Sequence, residues 1–274
     1  MKHLVLGSSG QIGSSLTNYL RKVKKEEVLE FDIQNEEYQD LRLNRNILLE
    51  QYISDCDIVH FLAYDVGGAK YLEDNQDKFE FINNNMLIMS NVFSLIQQYN
   101  KPFIFASSQM SELTHSSYGV LKLLGEKITK DLGGINLRFW NVYGEEDNGE
   151  KAHVITDFIR MAKQDGVIKM RTDGSESRQF LFAEDCSEAI WTLSNSYNQL
   201  WNDTPYCVTS YKWTTIIEVA NIIKNLSGCK IIPGIAKDKT QLNAMNEPNL
   251  KINQWWQPKY SLEEGITKLY NRQI

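Results

Sequence analysis

Cysteine is scarce and poorly spaced for metal chemistry. Only four are present among 274 residues, Cys56, Cys186, Cys207 and Cys229, and no two form a CxxC pair. That pattern speaks against a disulfide framework and a zinc site and fits buried, reduced thiols. No metal is expected. Excess positive charge is also missing, since 29 Lys and Arg stand against 35 Asp and Glu for a formal net charge of −6. Such a chain has no general field for wrapping nucleic acid or lying on an anionic membrane, although a local cationic pocket for a small anion is still allowed. No apolar run approaches the roughly 20 residues of a membrane span, and strand-like HLVLG at 3–7 begins too early to leave room for a signal peptide. A cytoplasmic location is expected. There is no internal repeat and no low-complexity tract, which leaves one large domain or two modest ones.

What the chain does hold is a hydrophobic share of 42%, enough to fill a sizeable core. HLVLG (3–7), EVLEFD (27–32), DIVHFLA (57–63), PFIFASS (102–108) and INLRFW (135–140) read as buried strands, and 11–25, 77–99 and 117–132 read as helices between them. Buried strands separated by helices of that length predict an α/β chain with a parallel, doubly wound, Rossmann-like sheet. After about residue 145 the alternation loosens. A helix is expected near 151–165, a turn at RTDGSESR, and late helices near 213–227 and 261–271.

Gly7, Gly10 and Gly13 give GxxGxxG after the first strand and at the start of the first helix. Glycine lets the backbone turn tightly and approach a pyrophosphate, whose charge is favoured by free N–H groups at a helix N-terminus. The loop residues Gly7, Ser9, Gly10, Gln11, Ile12 and Gly13 are therefore candidates for the cofactor cradle. The next strand ends in Asp32, about twenty residues on, where a carboxylate can accept the two hydroxyls of an adenosine ribose. It would repel a 2′-phosphate, so NAD is expected over NADP. The alternative is a tight turn followed by a surface acid. On the first reading, 1–145 is an NAD-binding Rossmann domain, completed by about 180–212, and 146–179 with 213–274 form a smaller, partly interleaved substrate lobe.

SSYGVLKLLGEK carries Tyr118 and Lys122 at YxxxK spacing on a predicted helix. Positions i and i+4 share a helical face, so the ammonium can lie near the phenol. A phenol titrates near pH 10, but a nearby cation favours phenolate and makes Tyr118 a candidate general base. Ser108, at the end of PFIFASS beside Ser107, can hydrogen-bond the same substrate oxygen. YxxxK alone arises often by chance; the glycine loop and the strand-end serine give it its context.

At these residues the chain resembles the extended short-chain dehydrogenase/reductases of the NAD-dependent epimerase/dehydratase group, whose members mostly act on nucleotide sugars. The resemblance runs through GSSGQIG, DIVHFLA, FINNNMLIMSNV, FIFASS, YGVLK, LRFWNVYG, SRQFLFAEDCSEAI and WWQPKYSLEEGI. It implies that Asp40 and Leu41 lie near the adenine, that Phe61, Leu62 and Ala63 line the cofactor, that Asn84 supports its pocket, and that Ser107 borders it. Asn141 and Arg178 would hold the substrate diphosphate. An Arg fork suits that anion and Asn141 follows a strand end, although a salt bridge and a turn would explain them as well. Two departures stand out. Only about ten residues separate Ser108 from Tyr118, so the loop that often covers the substrate is short; and Gln109 and Met110 fill the region where relatives place an acid or a cysteine.

DVGGAKYLEDN and NVYGEEDNGEKAHVITDFIR are similar to segments of GDP-fucose synthases and GDP-mannose 3,5-epimerases, which puts His153 where an acid/base histidine falls in the former. A capping or surface role is the other reading for His153. The expected reaction is NAD-dependent oxidation of a nucleotide-sugar hydroxyl at C4, by an epimerase or dehydrogenase, with GDP sugars weakly favoured; a reductase and a non-catalytic NAD sensor are the alternatives. Relatives commonly dimerise through two helices, and 77–99 and 117–132 are candidates for a homodimer interface, although burial within one chain explains the same apolar pattern. Trp255 and Trp256 could stack on a base or simply pack.

Overall fold

The computed structural model describes residues 1–146, 153–238 and 245–272. In chain order the first lobe contains β1 (Lys2–Leu6), α1 (Gln11–Asn18), β2 (Glu27–Phe31), α2 (Ile47–Asp55), β3 (Ile58–Phe61), α3 (Ala69–Asn75), α4 (Phe79–Tyr99), β4 (Phe103–Ser108), α5 (Ser117–Asp131) and β5 (Ile135–Phe139). There follow β6 (Asn141–Tyr143), α6 (Val154–Gln164), β7 (Val167–Lys169), β8 (Ser177–Phe182), α7 (Ala183–Asn195), β9 (Tyr206–Val208), β10 (Trp213–Thr215), α8 (Ile216–Ser227), β11 (Lys230–Ile232) and α9 (Leu262–Arg272).

Six parallel strands form the main sheet in the order β2-β1-β3-β4-β5-β9. Side chains alternate across it with period two. Leu4, Leu6, Phe103 and Phe105 face the core under α2, α4 and α5, whereas Val5, Ile104 and Ala106 face the core under α1 and α7. Apolar residues on both faces explain why these strands read as continuous hydrophobic runs. The doubly wound parallel sheet is thus the one the sequence predicts. Between β1 and β3 the strand order reverses, and this is where a ligand crevice forms in such sheets.

The second lobe holds a three-stranded sheet, β10-β8-β6, and a parallel pair, β11-β7, with α6, α8 and α9 around a third core that includes Phe158, Ile159, Val219 and Ile266. The chain returns from it through α7, which packs on α1 through Ser15, whose hydroxyl meets Ala183 O at 3.1 Å and Ser187 Oγ at 2.9 Å.

Local chemistry sets the helix starts. Asn46 accepts from the Leu49 N–H and Ser116 from the Gly119 N–H, so α2 and α5 begin on side-chain caps. The helix expected from 213 starts at Ile216, because Trp213–Thr215 pair antiparallel with β8 and Thr215 forms a capping box with Glu218. Of the helix expected near 151–165, residues 151 and 152 lie outside the described residues and α6 begins at Val154. Among the described residues, no helix is long and apolar enough to cross a membrane. All four cysteines are buried and free.

Candidate active site

A cleft of about 770 Å³ opens over the carboxyl ends of β1, β3 and β4. Its floor is the glycine turn. Gly7 has φ +86°, and a Cβ there would stand 2.8 Å from the Ala63 backbone; one on Gly13 would stand 2.0 Å from Gly7 O. Only glycine lets α1 start this close to the strand ends. Gly10 caps α1 with no side-chain hydrogen bond, so its first N–H groups face the cleft without a side-chain acceptor. These features fit a dinucleotide pyrophosphate. Gln11 ties the turn to the second lobe: with its amide set to satisfy both partners, it donates to Val142 O at 3.0 Å and accepts from Gly144 N–H at 3.3 Å.

At the β2 end, the Asp32 carboxylate accepts from the Ser9 N–H and the Gln34 N–H, each at 2.9 Å. Gln39 Oε1 accepts from the Asp32 N–H at 2.9 Å, which fixes the backbone as well. Asp40 meets Arg42 in a fork, with Nη2 at 2.8 Å from Oδ2, and the guanidinium holds its carboxyl below the usual range against the opposing effect of burial.

Ser108, Tyr118 and Lys122 meet at the other end of the cleft. Lys122 donates to Ala106 O at 2.6 Å and lies 3.6 Å from the Tyr64 ring centroid and 5.7 Å from that of Tyr118. Burial pushes its ammonium down to about 7, partly offset by Glu126 one turn further along α5. Burial likewise raises the Tyr118 phenol to about 12, while a hydrogen bond with Ser108 pulls it back. Beneath them, Glu126 accepts from Ser107 Oγ (2.6 Å), Ser111 Oγ (2.9 Å) and Arg138 Nε (2.6 Å), a buried network that joins α5, β4 and β5.

The second lobe supplies the facing wall. Asn141, His153 and Arg178 all line the cleft. Glu146 accepts from the His153 N–H at 2.7 Å and contacts its Nδ1 at 2.8 Å. Burial works to raise Glu146, yet its contacts with His153 keep its carboxyl below the ordinary value. Arg178 donates to Asp238 and, at 2.7 Å, to the Ser177 carbonyl.

The remaining residues named from the sequence, Ser9, Gln11, Ile12, Leu41, Leu62, Ala63, Asn84 and Ser107, line the same cleft. Phe61 does not. As the last residue of β3 its side chain faces the α4/α5 core, 5.2 and 5.3 Å from the Phe93 and Phe105 rings, so Leu62 and Ala63 alone of that trio reach the cleft. Trp256 is buried in the core beneath β9 and Trp255 meets Tyr206 edge-on, which makes both packing residues. Sequence reasoning missed Tyr64, Arg42, Glu146 and the DVGG acid. Asp65 Oδ1 accepts from Tyr71 Oη at 2.7 Å and its Oδ2 from Asn84 at 3.1 Å, so the residue that Asn84 supports is Asp65. The DVGG segment was visible, but nothing local marked its acid as a cleft residue.

A glycine cradle at a switch point, an acid at the second strand and a Ser-Tyr-Lys cluster define a dinucleotide-binding α/β enzyme. Residues 3–208 match the family model described as the NAD dependent epimerase/dehydratase family. Among curated proteins, the chain is 26% identical to a GDP-L-fucose synthase of Sinorhizobium fredii (97% of this chain, 93% of that protein) and 25% identical to a GDP-mannose 3,5-epimerase of Arabidopsis thaliana (98% and 81%). Among solved structures it resembles an epimerase of Methanothermobacter thermautotrophicus (TM-score 0.85, 23% identity, 98% and 91% covered) and a Thermus thermophilus UDP-glucose 4-epimerase in complex with NAD (TM-score 0.81, 21% identity, both chains fully covered). The chain belongs to the NAD-dependent epimerase/dehydratase family, and NAD is its cofactor.

Proposed function

We propose that the chain oxidises a nucleotide-sugar hydroxyl at C4 and then either returns hydrogen to the other face of the ketone, as a 4-epimerase, or releases the ketone, as a dehydrogenase. The observation that carries this is the convergence of Ser108, Tyr118 and Lys122 on one cleft with the glycine cradle. NAD, when bound, supplies the hydride acceptor and a positive ring that favours the phenolate. The glycine turn and the α1 N-terminus would hold its pyrophosphate, and Asp32 its adenosine ribose, with residues 1–145 and about 180–212 as the cofactor lobe apart from β6, which joins the second lobe's sheet. Tyr118 takes the hydroxyl proton, Ser108 holds the same oxygen, and the Lys122 ammonium stabilises the phenolate. Asn141 and Arg178 hold the diphosphate. Similarity to the GDP-sugar enzymes above favours a GDP sugar, weakly, over a UDP sugar. The acid at position 32 counts against an NADPH-type reductase.

Glu146 favours one addition. By engaging Nδ1 it leaves Nε2 of His153, a residue of the cleft wall, to move a proton on a carbon beside the ketone. We further propose a cytoplasmic homodimer formed through α4 and α5, where Phe79, Met86, Leu87, Val120 and Leu124 are exposed. The test is Tyr118→Phe. Turnover of GDP- and UDP-sugars should vanish while NAD content stays at the wild-type level; a variant that still turns over removes Tyr118 as the base, and a wild type inert toward every such sugar supports the sensor.

A further inference from the structure

Gln109 directly follows Ser108, where β4 ends and a short 3-10 turn (Gln109–Glu112) begins. It is 4% exposed and lines the cleft. A buried carboxamide has one acceptor oxygen and two N–H donors to satisfy. Asn246, far along the chain in the second lobe, deals with the oxygen: its Nδ2 donates to Gln109 Oε1 at 3.2 Å and to the Gln109 main-chain carbonyl at 2.9 Å. The double contact fixes which way round the amide sits. Nε2 has no partner among the described residues, so its N–H groups are left for a ligand, one residue from the Ser108 hydroxyl.

We propose that Gln109, oriented by Asn246, determines specificity by donating to an oxygen on a carbon next to the one oxidised, thereby selecting hexoses that carry oxygen there over their deoxy counterparts. This rests on the reading that a nucleotide sugar places its reacting hydroxyl at Ser108 and Tyr118. A site built to bond a substrate hydroxyl is left with an unpaired buried donor when the analogue lacks it, and it rejects that analogue more strongly than an apolar pocket rejects an extra methylene. An amide cannot act as an acid, and the neighbouring Met110 side chain cannot either. The Met110 N–H is already given to Ser108 Oγ at 3.2 Å. The oxygen held here is therefore recognised and is not activated to leave.

The NAD-loaded enzyme can be titrated by calorimetry with UDP-glucose and GDP-mannose, with their 3-deoxy analogues, which lack the oxygen next to C4, and with their 6-deoxy analogues as controls, whose missing oxygen is not on a carbon next to C4. Wild type should bind a parent sugar at least about tenfold tighter than its 3-deoxy analogue, and its 6-deoxy analogue about as well as the parent. Gln109→Leu should erase that ratio by weakening the parent and sparing the analogue. Asn246→Asp sets an acceptor against Oε1 and should turn the amide round, lowering the ratio with Gln109 intact; NAD content reports whether each variant is folded. A wild type without discrimination, or a NAD-replete Gln109→Leu that keeps it, overturns the proposal. If the wild type binds none of the parent sugars, the nucleotide-sugar reading falls and takes this inference with it.

Discussion

Replacing Lys122 by methionine should stabilise the protein at neutral pH while abolishing its chemistry. Lys122 is 3% exposed, and burial moves its ammonium from 10.5 to about 7. A displacement of that size corresponds to about 5 kcal/mol. The unfolded chain keeps this proton up to about pH 10.5 and the folded one gives it up near 7, so the unfolded state binds more protons throughout that window. Stability therefore rises with pH from about 7 to 10.5, and the burial cost is present in full below 7. Against it stand the hydrogen bond to Ala106 O, worth about 1.5–3 kcal/mol, and the contact with the Tyr64 ring, worth about 1–2 kcal/mol. Methionine fills the same volume without the charge. The variant should be more stable by about 1–2 kcal/mol at pH 7 and, once the wild-type lysine has lost its proton, less stable by a similar amount at pH 10. Urea denaturation of both proteins at the two pH values, with nucleotide removed, measures the difference and cancels groups the proteins share. A variant less stable at pH 7, or a difference that does not change sign, would refute the claim that desolvation dominates this lysine.

Gly13→Ala should abolish NAD binding in a fluorescence titration, because its Cβ would stand 2.0 Å from Gly7 O and α1 would have to withdraw from the cradle. Asp32→Ala should reduce the preference for NAD over NADP by about tenfold or more, roughly 1.4 kcal/mol, in competition binding. The buried pair His3 and His60, in contact at 2.8 Å, should make the fold acid-sensitive: burial pushes His3 down to about 4 and His60 well below its usual value, so stability falls as pH drops from 6.5 toward 4, and a His3→Leu/His60→Leu variant should show a flatter profile. Glu126→Leu removes the buried carboxylate on Arg138 and leaves that arginine only the exposed Glu112, so it should cost about 2–3 kcal/mol in denaturant unfolding, part of it recovered by adding Arg138→Met.

What was legible in the sequence is what is written within a few residues of itself. Strands buried on both faces appear as unbroken apolar runs, the glycine turn is seven residues long, and Tyr118 with Lys122 are one helical turn apart. Because the glycine turn follows β1 and Tyr118 and Lys122 lie in the first turns of the helix that follows β4, their order along the chain was enough to bring them to one cleft. The reach of that argument ends where a side chain's direction matters. Phe61 and Leu62 are adjacent, yet one falls into the core and the other into the cleft, since the last residue of β3 still obeys the pleat. Contacts between residues far apart in the chain carried no local sign at all. Asn246 meets Gln109 across 137 positions, and Asp238 meets Arg178 across 60. The second of these bears on ligand binding, because an arginine named for a diphosphate already holds a carboxylate. A diphosphate carries more charge than Asp238 and can take the fork from it, but that exchange subtracts from affinity. Tight binding must then come from elsewhere, and the cleft residues that sequence spacing could not rank are where it has to be found.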